Sequence, residues 1–270
     1  MSDIYKIMQE RHKKRDKYFA EQSYTTEKYV IPFIENVMPI GRETEILEIG
    51  CGEGGNLKPF LDRGSKVTGV DILETKIQNG RKFFKDHKNK DRLQLIASDI
   101  YSPPPELDKQ FDLIVMRDVL EHIHDHEKFL NYVKKFLKPG GHFFLGFPPW
   151  QNPFGGHQQM CHNRILSKTP WFHLLPGKLY PGLMKVTGEP PVRIEELLEI
   201  KDTRITIEKF EKIIKRENYR VLKKTFWLIN PNYEIKFNLK PRKMNQIISS
   251  TPYFRNFFIT TCYFILTKEN

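Results

Sequence analysis

Apolar and polar positions fall into alternating blocks along the first half of this 270-residue chain. EILEIG (45–50) is a nearly unbroken apolar run ending in glycine, which predicts a buried strand. KVTGVDI (66–72), LQLIASDI (93–100), FDLIVMRD (111–118) and HFFLGF (142–147) repeat the pattern. Between them Gly55–Arg63, Glu74–His87 and Asp125–Leu137 predict helices, the last ended by Lys138-Pro139-Gly140-Gly141. Upstream, residues 4–20 and 26–38 predict two more helices, with Pro32 opening or interrupting the second. Strands alternating with helices require right-handed crossovers. They predict an α/β, doubly wound, Rossmann-like sheet with helices on both faces.

The alternation stops after Pro148. Residues 148–204 are rich in Pro, Gly, His and aromatics and show no clean period, as an insertion would. It resumes with a helix over Ile205–Asn218 and strands near Tyr219–Ile229 and Phe257–Lys268, expected to pair antiparallel at a sheet edge. The expected organisation is N-terminal cap helices over 1–40, a ligand-binding core over 41–147, an acceptor-pocket insertion over 148–204, and completion of the sheet over 205–270.

Composition narrows the class. Hydrophobic residues make up 39% and charged residues 29%, a globular balance. The formal net charge of +11 is spread along the chain, apart from RHKKRDK at 11–17 and a recurrence of Lys and Arg over 201–243. That spread predicts a well-solvated surface first and a polyanionic partner second. Three distant cysteines, Cys51, Cys161 and Cys262, suit a reducing compartment without disulfides. No apolar run reaches membrane-spanning length, and the first residues do not read as a signal peptide. A cytoplasmic protein is the expectation.

The candidate chemistry lies where strands end. Gly50, Gly52, Gly54 and Gly55 fall at the first strand-to-helix turn, beside the switch point where doubly wound sheets bind ligands. Gly50-x-Gly52-x-x-Gly55 formally satisfies a dinucleotide fingerprint. The local charge argues otherwise. Glu48 stands just before the first glycine, Asp71 ends the second strand and Asp99 ends the third. An anionic pyrophosphate gains nothing from Glu48, whereas an ammonium or sulfonium would. Asp71 can accept both hydroxyls of a ribose, and Asp99 an exocyclic amine. Ile72 and Ile100 can sandwich an adenine ring.

Glu48-Ile49-Gly50-Cys51-Gly52-Glu53-Gly54 resembles the first motif of the class I S-adenosylmethionine-dependent methyltransferases, of the small-molecule, ubiquinone-biosynthesis-like type. VTGVDI, ASDI, FDLIVMRDVLEHI and LKPGGHFFLGFP resemble the motifs that follow, in family order over about residues 44–150. The resemblance implies a seven-stranded sheet, mostly parallel with the last strand antiparallel. It implies that Glu48, Gly50, Cys51, Gly52 and Gly54 meet the methionine and ribose part of S-adenosyl-L-methionine, and that Asp71 holds the ribose. Asp99 and Ile100 would hold adenine, and Arg117 would offer backbone to the methionine amino group.

Methyl transfer from a sulfonium needs alignment and water exclusion, and a base only when the acceptor must lose a proton early. EHIHDHE supplies Glu121, His122, His124 and His126; His122 is the first choice, and His157 in the insertion is the second candidate. FPPWQNPFGGH (147–157) has Phe147 where an amine clamp would need Asn or Asp. The run is read as an aromatic wall of Phe147, Trp150 and Phe154, with Gly155-Gly156 as a hinge. The H-x₃-C-H set of His157, Cys161 and His162 lacks a fourth ligand, and Asp118 lacks the partners of a metal-assisted site, so no metal is expected. The expected activity is methylation of a small-molecule acceptor, a metabolite or sugar derivative, at oxygen. The alternatives are a nucleic-acid or protein methyltransferase, suggested by the charge, and a catalytically silent cofactor-binding module.

Overall fold

The computed structural model describes residues 15–269. The helix expected over 4–20 lies mostly outside them; a helix spans Arg15–Thr25, followed by a π-helical turn Thr26–Val30 and a short helix Ile31–Ile34 opened by Pro32. Eight strands occur among the described residues: β1 Glu45–Ile49, β2 Lys66–Asp71, β3 Leu93–Ala97, β4 Phe111–Arg117, β5 Leu137–Phe147, β6 Tyr219–Ile229, β7 Arg242–Lys243 and β8 Thr261–Lys268. Their order in the sheet is β3-β2-β1-β4-β5-β8-β6-β7. The expected count of seven is therefore corrected to eight. The additional strand, β7, is two exposed basic residues on the edge, antiparallel to β6. It buries nothing, so it leaves no hydrophobic pattern, and its charge discourages further pairing at the edge. The β6–β8 pair is antiparallel as expected, but the edge position belongs to β7.

The chain divides into two compact units. The first comprises residues 15–116, 135–144 and 231–240. Here β1 lies between β2 and β4, and β3 flanks β2, all parallel. Its strands are apolar nearly throughout, because a parallel sheet is buried on both faces; Ile46, Leu47, Val67, Val70 and Ile114 are at most 1% exposed. The register pairs Ile49 with Val70 and Asp71 with Ala97, which brings the carboxyl ends of β1, β2 and β3 level. The helix after β1 is shorter than expected, Lys58–Asp62 with Pro59 in its first turn; the helix after β2 is Glu74–Phe83. Strand β5 begins at Leu137 rather than His142. It takes in Pro139-Gly140, with Gly140 at φ 73°, a conformation that proline followed by glycine adopts readily.

The second unit comprises residues 117–134, 145–230 and 241–269. Asp125 caps the helix His126–Val133 rather than lying in it, its side chain accepting from the Lys128 N–H at 3.0 Å. The helix Ile207–Arg216, capped by Thr206, buries Ile207, Phe210, Ile213 and Ile214 on one face. Phe210 packs on Phe147 and Phe264, each at 4.9 Å between ring centres. The insertion holds helices Leu179–Val186 and Pro191–Thr203 around a small core that includes Cys161, Phe172, Tyr180, Met184 and Leu197. His173 pins it. Its Nε2 lies 2.8 Å from the Trp150 carbonyl, and its own carbonyl accepts from Lys201 Nζ at 3.0 Å.

Candidate active site

In the first unit, Gly50, Gly52 and Gly54 have φ of 73°, 56° and 82°, values only glycine adopts at little cost. The loop is tied to β2: the Gly50 and Cys51 N–H groups both donate to the Val70 carbonyl, at 2.8 and 3.1 Å. Asp71 completes the tie. Its Oδ2 accepts from the Gly52 N–H and its Oδ1 from the Leu73 N–H, both at 2.9 Å. Each oxygen keeps acceptor capacity beyond that bond. Lys76 Nζ lies 3.8 Å from Asp71 Oδ2. A side chain at Gly52 would meet only the Lys76 stem, at 3.9 Å, so the loop is open there. Ile72, next to the carboxylate, is 71% exposed.

The other expected ligand contacts fall differently. Glu48 is buried and turns inward, accepting from Asn56 Nδ2 at 2.6 Å; Asn56 Oδ1 in turn accepts from the Thr26 hydroxyl at 3.0 Å. Its carboxylate thus braces β1 against the N-terminal turn. Cys51 is fully buried, its thiol pushed up by burial and by the nearby Glu48 and Asp71 carboxylates. Only its backbone belongs to the loop surface. Asp99 is exposed and closes a local turn, accepting from the Tyr101 N–H at 2.9 Å. Ile100 is buried where Ile72 is exposed, so the two do not present equivalent faces. Arg15 was not picked out from the sequence: it reaches Glu53 of the glycine loop at 3.0 Å. Phe19 of the same helix packs on Phe83, the tilted rings 4.7 Å apart between centres.

In the second unit, β4 leads into Arg117 and Asp118. Arg117 is 8% exposed, with Nε 3.6 Å from Asp118 Oδ2. Asp118 sits at φ 55° and donates its N–H to the Gly146 carbonyl at 2.8 Å. A single turn, Leu120–His122, then presents Glu121 and His122. Glu121 is buried; its carbonyl accepts from Thr203 Oγ1 at 2.6 Å and its Oε1 lies 3.9 Å from His157 Nε2. Its Oε2 is buried without a hydrogen-bond partner. Burial, and then the Asp118 charge, push the Glu121 carboxyl well above the usual range. The His122 and His157 rings are 5.3 Å apart, so the structure brings together two residues far apart in sequence. Gly156 makes this arrangement possible: any side chain there would meet His173 Cβ at 2.3 Å.

The remaining candidate residues have other partners. His126 is buried, with Nε2 3.2 Å from the Leu120 carbonyl, and burial with Lys209 nearby pulls it down to about 4. It is a core histidine. Phe147 is fully buried among Phe210 and Phe264, and Trp150 packs edge-on against His173 at 4.6 Å. Neither forms an acceptor wall; Phe154 is half-buried. Cys161 packs in the insertion core, and the backbone N–H of His162 donates to Glu189 at 3.0 Å. His157 instead groups with Glu121 and His122.

A family model described as a methyltransferase domain matches residues 47–145. This match supports a class I S-adenosylmethionine-dependent methyltransferase family for the segment. That family's cofactor is S-adenosyl-L-methionine, and the dinucleotide reading of the glycine loop falls. Among curated relatives, the chain is 31% identical over 112 residues to a sterol 4-C-methyltransferase of Caenorhabditis elegans, covering 42% of this chain and 33% of that protein. It is 30% identical over 115 residues to a ubiquinone biosynthesis O-methyltransferase of Hydrogenovibrio crunogenus, covering 43% and 46%. The matched region thus spans a third to a half of these relatives. The fold is similar to that of an S-adenosylmethionine-dependent methyltransferase from Clostridium acetobutylicum, with a TM-score of 0.58 at 14% identity, covering 99% of this chain and all of that one. The first unit fits the methyltransferase cofactor on its own geometry: a pinned carboxylate, an open glycine and an exposed isoleucine adjoin one another. Among the described residues, no helix is long and apolar enough to cross a membrane.

Proposed function

We propose that this protein is a methyltransferase that moves the methyl of S-adenosyl-L-methionine to a small-molecule acceptor, at oxygen. The observation that carries the reading is Asp71, held by the Gly52 and Leu73 N–H groups beside an open Gly52 and an exposed Ile72. When bound, the cofactor supplies a methyl on a sulfonium; its loss leaves S-adenosyl-L-homocysteine, and the acceptor gives up one proton. Asp71 orients the ribose through its remaining acceptor capacity, and Ile72 covers the base. The backbone of Gly50, Cys51, Gly52 and Gly54 lines the loop, Asp99 and Ile100 bound the adenine end, Arg117 serves the methionine end, and Glu48 acts by bracing β1. The Glu121–His122–His157 cluster is where the acceptor hydroxyl loses its proton. The relatives named for a sterol and for ubiquinone biosynthesis support a small acceptor, and the second supports oxygen.

Titration calorimetry with S-adenosyl-L-homocysteine, with NADH as a control, tests the first half. Binding of the first alone supports it; absence of that binding refutes it. A screen of phenols, sterols and RNA with labelled methyl donor tests the second half. Transfer to a phenolic hydroxyl supports the proposal, and transfer only to RNA or to carbon overturns the acceptor class.

A further inference from the structure

Glu53 stands between Gly52 and Gly54, two residues at φ 56° and 82°, so the backbone on each side of it turns easily. Gly52 is tied to Asp71. Glu53 is held from outside the loop. Its Oε1 lies 3.0 Å from Arg15 Nη1, with the two side chains 7% and 20% exposed. Among the described residues, no other cation forms an ion pair with Glu53.

The helix that carries Arg15 is fitted to the loop. Arg15, Phe19 and Gln22 recur at i, i+4 and i+7, so they share one face of the helix Arg15–Thr25. A side chain at Gly55 would meet Gln22 Oε1 at 2.7 Å and the Phe19 carbonyl at 2.8 Å. A side chain at Gly80, on the helix Glu74–Phe83, would meet the Glu53 carbonyl at 2.8 Å. Phe19 packs on Phe83 and Phe84, at 4.7 and 5.5 Å between ring centres, and joins the two helices. Glu53 to Gly55 are thus wedged between them. The turn that follows the N-terminal helix is anchored separately. The Thr26 hydroxyl donates to Asn56 Oδ1 at 3.0 Å, and the Tyr29 hydroxyl donates to Glu234 Oε2 at 2.6 Å. A helix fixed at its far end presents Arg15 at one place. All of these residues lie in the first unit.

We propose that Arg15 is a positioning residue for the cofactor: through Glu53 it holds the glycine loop in the shape that takes S-adenosyl-L-methionine. The proposal rests on the cofactor reading of that loop. Arg15 Nη1 makes no aligned hydrogen bond, so the contact is an attraction of charges, which a lysine can also supply. Loss of one member of a buried pair leaves the other charge uncompensated. Glu53 would then swing towards water about the glycines beside it, and Gly52 would leave its place against Asp71.

The test uses the full chain, with folding checked by circular dichroism. Hydrogen exchange of the 50–55 loop is read without ligand, and affinity for S-adenosyl-L-homocysteine by calorimetry. Arg15→Gln should speed loop exchange by about 10-fold while exchange in β4 stays native. It should weaken S-adenosyl-L-homocysteine by about 10-fold or more, through the buried charge left behind. Arg15→Lys should stay within about threefold of the native chain, because the charge is kept. Glu53→Gln should match Arg15→Gln, and the double variant should lose no more than the weaker-binding single one, as residues acting as a pair do. If Arg15→Gln fails to fold, Glu53→Gln decides by the same two readouts. Native loop exchange in a folded Arg15→Gln variant, or losses that add in the double variant, overturn the proposal. If the native chain binds no S-adenosyl-L-homocysteine, the cofactor reading fails, and loop exchange still decides whether Arg15 holds the loop.

Discussion

Replacing Asp71 by asparagine keeps the shape of the side chain and removes its charge and one acceptor. Both carboxylate oxygens now accept a backbone N–H at 2.9 Å, from Gly52 and from Leu73. The amide has a single acceptor oxygen, so one of those N–H groups must face an NH₂. On that side a cofactor hydroxyl also finds a donor where it needs an acceptor. A hydrogen bond to a charged group contributes about 1.5–3 kcal/mol. The expected loss in affinity for S-adenosyl-L-homocysteine is therefore about 10- to 150-fold, at 1.4 kcal/mol per decade. Asp71→Ala frees both N–H groups and should lose at least as much. Because Asp71 is only 7% exposed, the unpaired N–H should also lower the melting temperature. Calorimetry on the folded variant, with circular dichroism alongside, gives both readouts. An affinity within twofold of the native protein, in a variant that has lost thermal stability, would refute the reasoning: Asp71 would then brace the loop without touching the cofactor.

Three further outcomes follow from the same structure. His122→Ala should reduce methyl transfer by about 100-fold or more while S-adenosyl-L-homocysteine affinity stays unchanged; parallel loss of both would make His122 a structural residue. Gly80→Ala places a methyl 2.8 Å from the Glu53 carbonyl and 2.9 Å from a Leu95 methyl, so it should cost about 1–3 kcal/mol by urea unfolding and weaken cofactor binding through the displaced loop. Unchanged stability would show that the helix Glu74–Phe83 can move away freely. Buried His126 and His173 are both held down to about 4, so each contributes stability that is present above about pH 6.5 and is lost as pH falls towards 4, up to about 3 kcal/mol apiece. Urea unfolding at pH 7 and pH 4.5 measures this, and His126→Gln should lose less stability over that interval than the native protein. An equal loss in the two would exclude His126 as a source.

The elements legible in the sequence are those whose burial writes a period. Strands β1, β2 and β4 are buried nearly throughout and are closed or followed at once by Gly or Asp, so their positions could be read to within a few residues. The helix Ile207–Arg216 was equally plain, because Ile207, Phe210, Ile213 and Ile214 recur at helical spacing. The insertion was opaque for a physical reason. Its core is assembled from short turns around His173 and Lys201, whose polar atoms are satisfied by backbone carbonyls rather than by an amphipathic stripe. The helix Pro191–Thr203 even buries Arg193 and Lys201, which no hydrophobic pattern would place inside. Strand β7 left no trace because exposed Arg242 and Lys243 obey no burial constraint.

The same distinction governs the site. Acids at strand ends mark positions, not directions. Glu48 and Asp71 look equivalent in the sequence, yet Glu48 turns inward to Asn56 while Asp71 turns to the glycine loop. The difference lies in what each side chain meets, and Asn56 and Thr26 carry no sequence signal that would announce them. His122 and Glu121 stand together in EHIHDHE, but choosing between them required burial. His122 is exposed, whereas Glu121 is buried by the Thr203 end of a helix some 80 residues away, the separation being 82 positions. The carboxylate is thereby taken out of water with one oxygen unsatisfied, which turns a polar turn into a place that demands a partner.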